Sequence, residues 1–232
     1  MKFSLVIPCY NEACNLPLLL ERCKALVLNE GIEVVFVDNG STDDSPAVFE
    51  ALLPKYPGCR SIRVDVNQGY GHGIIAGLKA ARGDILGWTH ADMQADPMDA
   101  WDGLSLFGSN PELNFVKGRR YGRPFLDTVF TMGMSCFETV LLFRPMWDIN
   151  AQPTLFTRRF FESWESPPND FALDLYAYYQ ASVQGLNVRR FRVRFGPRAY
   201  GISHWNVNWA AKKRFIKRTI DYSLELKKKM AL

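Results

Sequence analysis

The chain has 232 residues, 47% apolar and 22% charged, with a formal net charge of +4. That length can bury a full core, that hydrophobicity excludes a disordered chain, and so small a net charge gives no ground for a nucleic-acid partner. The five cysteines are odd in number and lack Cys-x-x-Cys spacing, so neither a disulfide framework nor a zinc site is expected, and a reducing cytoplasmic setting is.

Taken in order, Phe3–Pro8 is too short for a signal-peptide core and reads as a buried strand. Asn11–Leu28 follows with helical spacing of Leu16, Leu19, Leu20, Cys23 and Leu26. Glu33–Asp38 is a second β-branched run, Asp43–Leu53 a helix, Arg60–Val66 a third strand, Gly69–Arg82 a helix and Ile85–Thr89 a fourth strand. Alternation of this kind argues for an α/β fold with a parallel sheet covered by helices, whose ligands bind at the carboxyl ends of the strands. Beyond it, Phe115–Gly118 reads as a strand, Asp127–Phe143 and Phe171–Val183 as helices, and Val188–Phe195 as a strand. Trp209–Lys229 is a basic amphipathic helix. The apolar segment Phe125–Trp147 contains Asp127, Glu138 and Arg144, so no transmembrane helix is expected; it reads as a core helix, with an apolar face for a lipid as the other reading. No repeat or linker divides the chain.

Four loops at strand ends carry polar residues. Pro8-Cys9-Tyr10-Asn11-Glu12 offers a flat ring at Tyr10, a helix cap at Asn11 and a carboxylate at Glu12. In Asp38-Asn39-Gly40-Ser41-Thr42-Asp43-Asp44, Ser41 or Thr42 suits a helix cap, and Asp38 can accept from a nucleobase or ribose. The glycines from Gly69 to Gly77 miss the Gly-x-Gly-x-x-Gly spacing and follow the third strand, so hydride transfer with a dinucleotide loses its support. Their expected work is to let a helix pass close to the sheet. In Thr89-His90-Ala91-Asp92-Met93-Gln94, alternation puts His90, Asp92 and Gln94 on one side of an extended loop. Imidazole, carboxylate and amide oxygen together can hold Mg²⁺ or Mn²⁺ with positions open for phosphate oxygens.

Together these loops resemble the family 2 glycosyltransferases, and within them the dolichyl- or polyprenyl-phosphate mannosyltransferase group. Later segments extend the resemblance: Gly118-Arg119-Arg120-Tyr121, Asp148-Ile149-Asn150-Ala151-Gln152-Pro153 and Arg198-Ala199-Tyr200-Gly201-Ile202-Ser203-His204. The resemblance implies a GT-A fold, a Rossmann-like three-layer sandwich with a mostly parallel central sheet. It implies one glycosyltransferase domain over 1–232, with a nucleotide-binding half (1–110), an acceptor half (111–204) and a basic amphipathic end (205–232). Pro8, Tyr10, Glu12, Phe36 and Asp38 would line the nucleotide pocket. Ala91, Asp92 and Gln94 would lie at the diphosphate and its metal, with His90 as a further ligand. Arg120, Arg198 and His204 would meet the donor phosphates. Asp92, Arg120 and Arg198 would stabilise the charge that builds as the sugar–diphosphate bond breaks.

Two positions depart from the family pattern: His90 stands for an Asp, and His204 for a Lys. Imidazole favours Mn²⁺ over Mg²⁺ modestly, by ligand softness. The expected reaction is inverting transfer of a sugar from a GDP- or UDP-sugar donor. A lipid-phosphate acceptor, with a second pKa of about 6, is already an anion and needs no strong base. A glycan hydroxyl needs a carboxylate, for which Asp174 and Asp170 are the candidates; Asp170 also suits a helix cap. A degenerate protein that binds nucleotide sugar without turnover is the alternative. A nucleotidyltransferase is disfavoured, because Pro8–Glu12 lacks a Gly-rich triphosphate loop.

Residues 205–232 hold eight Lys or Arg and two Asp or Glu, which leaves the rest of the chain slightly acidic. A cationic amphipathic end on an acidic body suits an enzyme at the cytoplasmic face of a membrane, with 209–229 as the contact.

Overall fold

A computed structural model describes residues 1–201 and 209–230. Seven strands form one sheet in the order β3-β2-β1-β4-β6-β5-β7. The strands are β1 (Phe3–Cys9), β2 (Ile32–Asn39), β3 (Cys59–Val64), β4 (Ile85–Trp88), β5 (Asn114–Tyr121), β6 (Thr154–Thr157) and β7 (Asn187–Arg194). β1 pairs parallel with β2 and β4, β2 with β3, and β5 with β7; β6 runs antiparallel between β4 and β5. The carboxyl ends of six strands therefore open on the same edge. Strands from both halves of the chain share this sheet.

The helices are α1 (Leu16–Val27), α2 (Ser45–Leu52), α3 (Tyr70–Ala80), α4 (Asp99–Leu104), α5 (Phe125–Leu142), α6 (Arg158–Glu162), α7 (Leu173–Val183) and α8 (Trp209–Met230). They cover both faces. One core joins Phe3, Leu5 and Ile7 of β1 to Leu16, Leu20 and Cys23 of α1 and Phe49 of α2. The other joins Val6, Val37 and Trp88 to Ile74 and Leu78 of α3, Tyr176 and Tyr178 of α7 and Leu226 of α8. Alternate residues of β1 thus feed opposite cores, as period-two geometry requires. The glycines of α3 act as expected. A Cβ at Gly77 would fall 2.3 Å from Val6 Cγ1, and one at Gly71 2.5 Å from the Pro168 carbonyl oxygen.

β6 escapes the sequence reading because four residues are too few to show a period. The larger correction concerns α5. It is not a core helix: its buried residues are Ser135, Glu138 and Leu142, whereas Phe125, Leu126 and Val140 are 79%, 79% and 73% exposed. By length and composition α5 is also apolar enough to cross a membrane, contrary to expectation, because the polar residues within it are few. Its buried side lies against α8, where Ser223 Oγ is 2.7 Å from Glu138 Oε1.

Candidate active site

The loops after β1 and β2 interlock, and this overturns the expected caps. Asn11, at φ 57°, accepts the N–H groups of Thr42 (2.8 Å) and Asp43 (3.3 Å) on Oδ1. Asn11 N–H donates to Ser41 Oγ (3.1 Å), and Glu12 N–H to Ser45 Oγ (3.0 Å). Asn15 and Asp44 hold the cap positions of α1 and α2 without side-chain bonds to them. Asp38 is buried; its Oδ1 accepts from Ser41 N–H at 2.9 Å and its Oδ2 pairs with Arg63 at 2.7 Å. Phe36 is fully buried against Phe49 in the α1–α2 core, so it presents no surface to a pocket. Tyr10 is partly exposed and Pro8 half-buried.

The β4 loop does not run extended. Met93 takes φ 59°, Gln94 N–H donates to Asp92 Oδ1 (3.1 Å), and the three expected ligands face different partners. His90 stacks on Tyr70 at 5.5 Å, and Tyr70 stacks on Phe171 at 4.7 Å. Asp92 Oδ2 lies 2.9 Å from Arg198 Nη2. Gln94 Nε2 donates to the Gly196 carbonyl (3.1 Å), while Gly196 N–H donates to the Gln94 carbonyl (2.8 Å). Residues 196–199 therefore lie across the β4 loop. Ala91 is buried and presents only backbone there.

The electrostatics follow from this packing. Burial lowers the His90 pKa against the pull of Asp92 and Asp174, which keeps the ring neutral near pH 7. Burial raises Glu12, opposed by its hydrogen bond from Asn15 and reinforced by Asp92. Among the described residues no three His, Cys, Asp or Glu side chains converge on a cation position. The donor set here is one carboxylate at Asp92, with Gln94 Oε1 left over once its nitrogen is spent on Gly196. Such a set fits a hard cation that takes most of its ligands from phosphate and water. His204 lies outside the described residues.

From the other half, Arg120 Nε donates to Asp148 Oδ1 (2.9 Å), Nη2 bonds the same oxygen, and Arg120 N–H donates to Asp148 Oδ2 (3.0 Å). Burial pushes Asp148 up, but the Arg120 guanidinium outweighs it and holds the carboxyl below its usual range. Arg120 and Arg123 both stack over Phe195, at 5.3 and 5.5 Å. A cleft of about 350 Å³ lies between Arg119, Arg120, Tyr121 and Arg192.

Asp174 does not face the cleft. It is buried, 3.2 Å from Lys117 Nζ, and accepts from Gln152 Nε2 at 2.8 Å; Gln152 Nε2 also reaches Tyr70 Oη at 3.3 Å. Lys117 is fully buried, donates to Thr154 Oγ1 (2.7 Å), and is pulled down to about 8 by burial against the attraction of Asp174. Asp174 is thus a structural anchor, and in this geometry it cannot take an acceptor proton. Asp170 accepts from Ala172 N–H (2.9 Å) and pairs with Arg218. Sequence reasoning missed Lys117, Tyr70 and Asp148 as site-building residues. A lone Lys within the apolar run Phe115–Gly118 was the available signal, since a buried ammonium demands a partner.

A cavity of about 60 Å³ opens between α5, α8 and the end of β5, lined among others by Arg120, Phe130, Ser135, Glu138, Phe171 and Thr219.

Residues 4–160 match the family model described as Glycosyl transferase family 2. The chain belongs to that family. Among curated proteins it is similar to an undecaprenyl-phosphate 4-deoxy-4-formamido-L-arabinose transferase of Pseudomonas paraeruginosa, 40% identical over 98 residues, 40% of this chain and 29% of that protein. The Yersinia enterocolitica enzyme of the same name is 38% identical over 100 residues, 41% of this chain and 30% of that protein. The alignments thus span less than a third of these relatives' length. Among solved structures, glucosyl-3-phosphoglycerate synthase of Mycobacterium tuberculosis, in complex with Mn²⁺, UDP and glucosyl-3-phosphoglycerate, superposes with a TM-score of 0.72 at 17% identity. That superposition covers 97% of this chain and 79% of the other. A mannosyltransferase of Pyrobaculum calidifontis, in complex with GDP-Man and Mn²⁺, gives 0.63 at 20% identity, covering 86% of this chain and 58% of the other. The shared architecture is the GT-A fold, as the strand order and the two helical layers imply.

Proposed function

We propose that this chain transfers a sugar from a nucleoside-diphosphate donor to a polyprenyl phosphate, with inversion. The observation that carries the reading is Asp92 paired with Arg198 at the carboxyl end of β4, where an α/β sheet binds its ligand. The activity named for the undecaprenyl-phosphate transferases this chain resembles supports the acceptor class. An acceptor phosphate oxygen attacks the anomeric carbon, the bond from that carbon to the diphosphate breaks, and the nucleoside diphosphate leaves. Glu12 and Asp38 lie at the nucleotide end, and Arg198 and Arg120 meet phosphate oxygens. Asp92 and Gln94 would hold Mg²⁺ or Mn²⁺, which when bound supplies positive charge against the leaving diphosphate.

The acceptor follows from the carboxylates. Asp174 is buried against Lys117 and so is withdrawn as a base, while Asp170 is partly exposed and shares its carboxylate with Arg218. An anionic phosphate nucleophile requires no base.

A lipid acceptor needs a lipid-facing surface, and α5 offers it beside the Arg120 cavity. Its exposed stripe runs through Leu126, Val129, Phe137 and Val140. Cations border it: Arg123 on Thr131 at one end (2.7 Å), and Lys227 over the Phe143 ring (5.4 Å) at the other. An apolar face with a basic rim suits an anionic bilayer surface. We assign the membrane contact to α5, with α8 as its support.

The test incubates the chain with Mn²⁺, a panel of GDP- and UDP-sugars and a short polyprenyl phosphate, reading nucleoside-diphosphate release. Release that requires the lipid phosphate is expected. Release only with glycan hydroxyls would overturn the acceptor, and donor binding without release on either would favour a degenerate binding protein.

A further inference from the structure

The cavity holds one ionisable group that the proposed transfer does not use. Glu138, midway along α5, is fully buried, and its Oε2 has no hydrogen-bond partner. Its Oε1 lies 2.7 Å from Ser223 Oγ on α8. The same Oγ lies 2.7 Å from the Thr219 carbonyl oxygen one turn back. A hydroxyl carries one proton, and neither a carbonyl nor a carboxylate supplies another. Both contacts are hydrogen bonds only if the carboxyl brings the second proton. Glu138 then donates to Ser223 Oγ, and Ser223 donates to Thr219.

The surroundings agree. Arg120, from β5, is the one charged group among the described residues that line the cavity with Glu138. α7 and the turn before it present apolar side chains, and α8 presents hydroxyls. Lys227, one turn beyond Ser223, is turned onto Phe143. Burial pushes the Glu138 carboxyl up to about 7, and no neighbouring charge enters the balance.

We propose that Glu138 is protonated in the folded protein and is the positioning residue of the acceptor cavity, fastening α8 to α5 as a neutral carboxyl so that no carboxylate on that wall opposes an anionic ligand. The positioning role rests on the acceptor reading above; the proton does not. Above neutrality the proton leaves, a bare charge stands in the wall, and Ser223 must choose between two acceptors. Acceptor binding then weakens while the donor site is untouched.

Two measurements test it on the whole chain. Infrared spectra at pH 6 should show a protonated-carboxyl band that titrates away near neutrality, is absent in Glu138→Gln, and shifts in Ser223→Ala, which removes the proton's acceptor. In steady-state kinetics, KM for the polyprenyl phosphate should rise roughly tenfold from pH 6 to 8, as expected for one group titrating near 7, with kcat little changed. Glu138→Gln should hold the low KM across that range. Absence of the band, or a band that neither variant alters, overturns the proton. Matching KM profiles in the wild type and Glu138→Gln overturn the positioning role. If the band behaves as stated but no lipid phosphate is ever turned over, the acceptor reading fails and the proton stands.

Discussion

Arg198 Nη2 stands 2.9 Å from Asp92 Oδ2, joining the segment after β7 to the loop after β4. The backbone bonds between Gly196 and Gln94 hold the two segments in register. Under the proposed transfer, this carboxylate and guanidinium at the strand ends would meet a cation and phosphate oxygens respectively. Asp92→Ala should abolish nucleotide release and its dependence on divalent cation. Arg198→Ala should lower kcat/KM by about 10²–10³, the usual cost of one charge-stabilising donor. Release assays with and without chelator decide it: an Asp92→Ala enzyme as fast as wild type in chelator has no such carboxylate role.

The Lys117–Asp174 pair, with its bonds to Thr154 and Gln152, supports the Tyr70–His90 stack from within. Removing one partner strands the other in the core. Lys117→Met alone should cost about 3–5 kcal/mol of stability, and the double variant Lys117→Met, Asp174→Asn should recover part of it. Urea unfolding of the two single variants and the double measures this, and strictly additive losses would mean that the two groups are not coupled.

The α5 stripe makes a separate prediction, because Leu126 and Val140 are 79% and 73% exposed and support no core. Leu126→Glu with Val140→Glu should change stability by about 0.5 kcal/mol or less at each position. The same substitutions should sharply reduce cosedimentation with anionic vesicles at low salt. Binding as strong as the unmodified chain's would take the membrane surface away from α5.

Much of the first half was readable from local pattern. The apolar runs mark β1, β2 and β4 because each is buried on both faces, β3 is a half-buried alternation at the sheet edge, and the Leu and Cys spacing marks α1 because one stripe faces the sheet. Loop chemistry was less readable. Asn11 and Ser41 look like helix caps, yet they bond across two loops that only the β1–β2 pairing brings together. The alternation of His90, Asp92 and Gln94 assumed an extended chain, which the left-handed turn at Met93 breaks.

By itself, then, the sequence determined the alternating strands and helices, the polar loops at the strand ends and the basic character of the C-terminal segment, since these depend on near neighbours and simple periods. The tertiary structure decided which ionisable groups are at liberty. Asp174 and Glu138 look alike in the chain, as single carboxylates on helices. One meets a buried lysine and the other a hydroxyl in an apolar wall. A charge's fate is set by what packs around it, and those partners lie dozens of residues away.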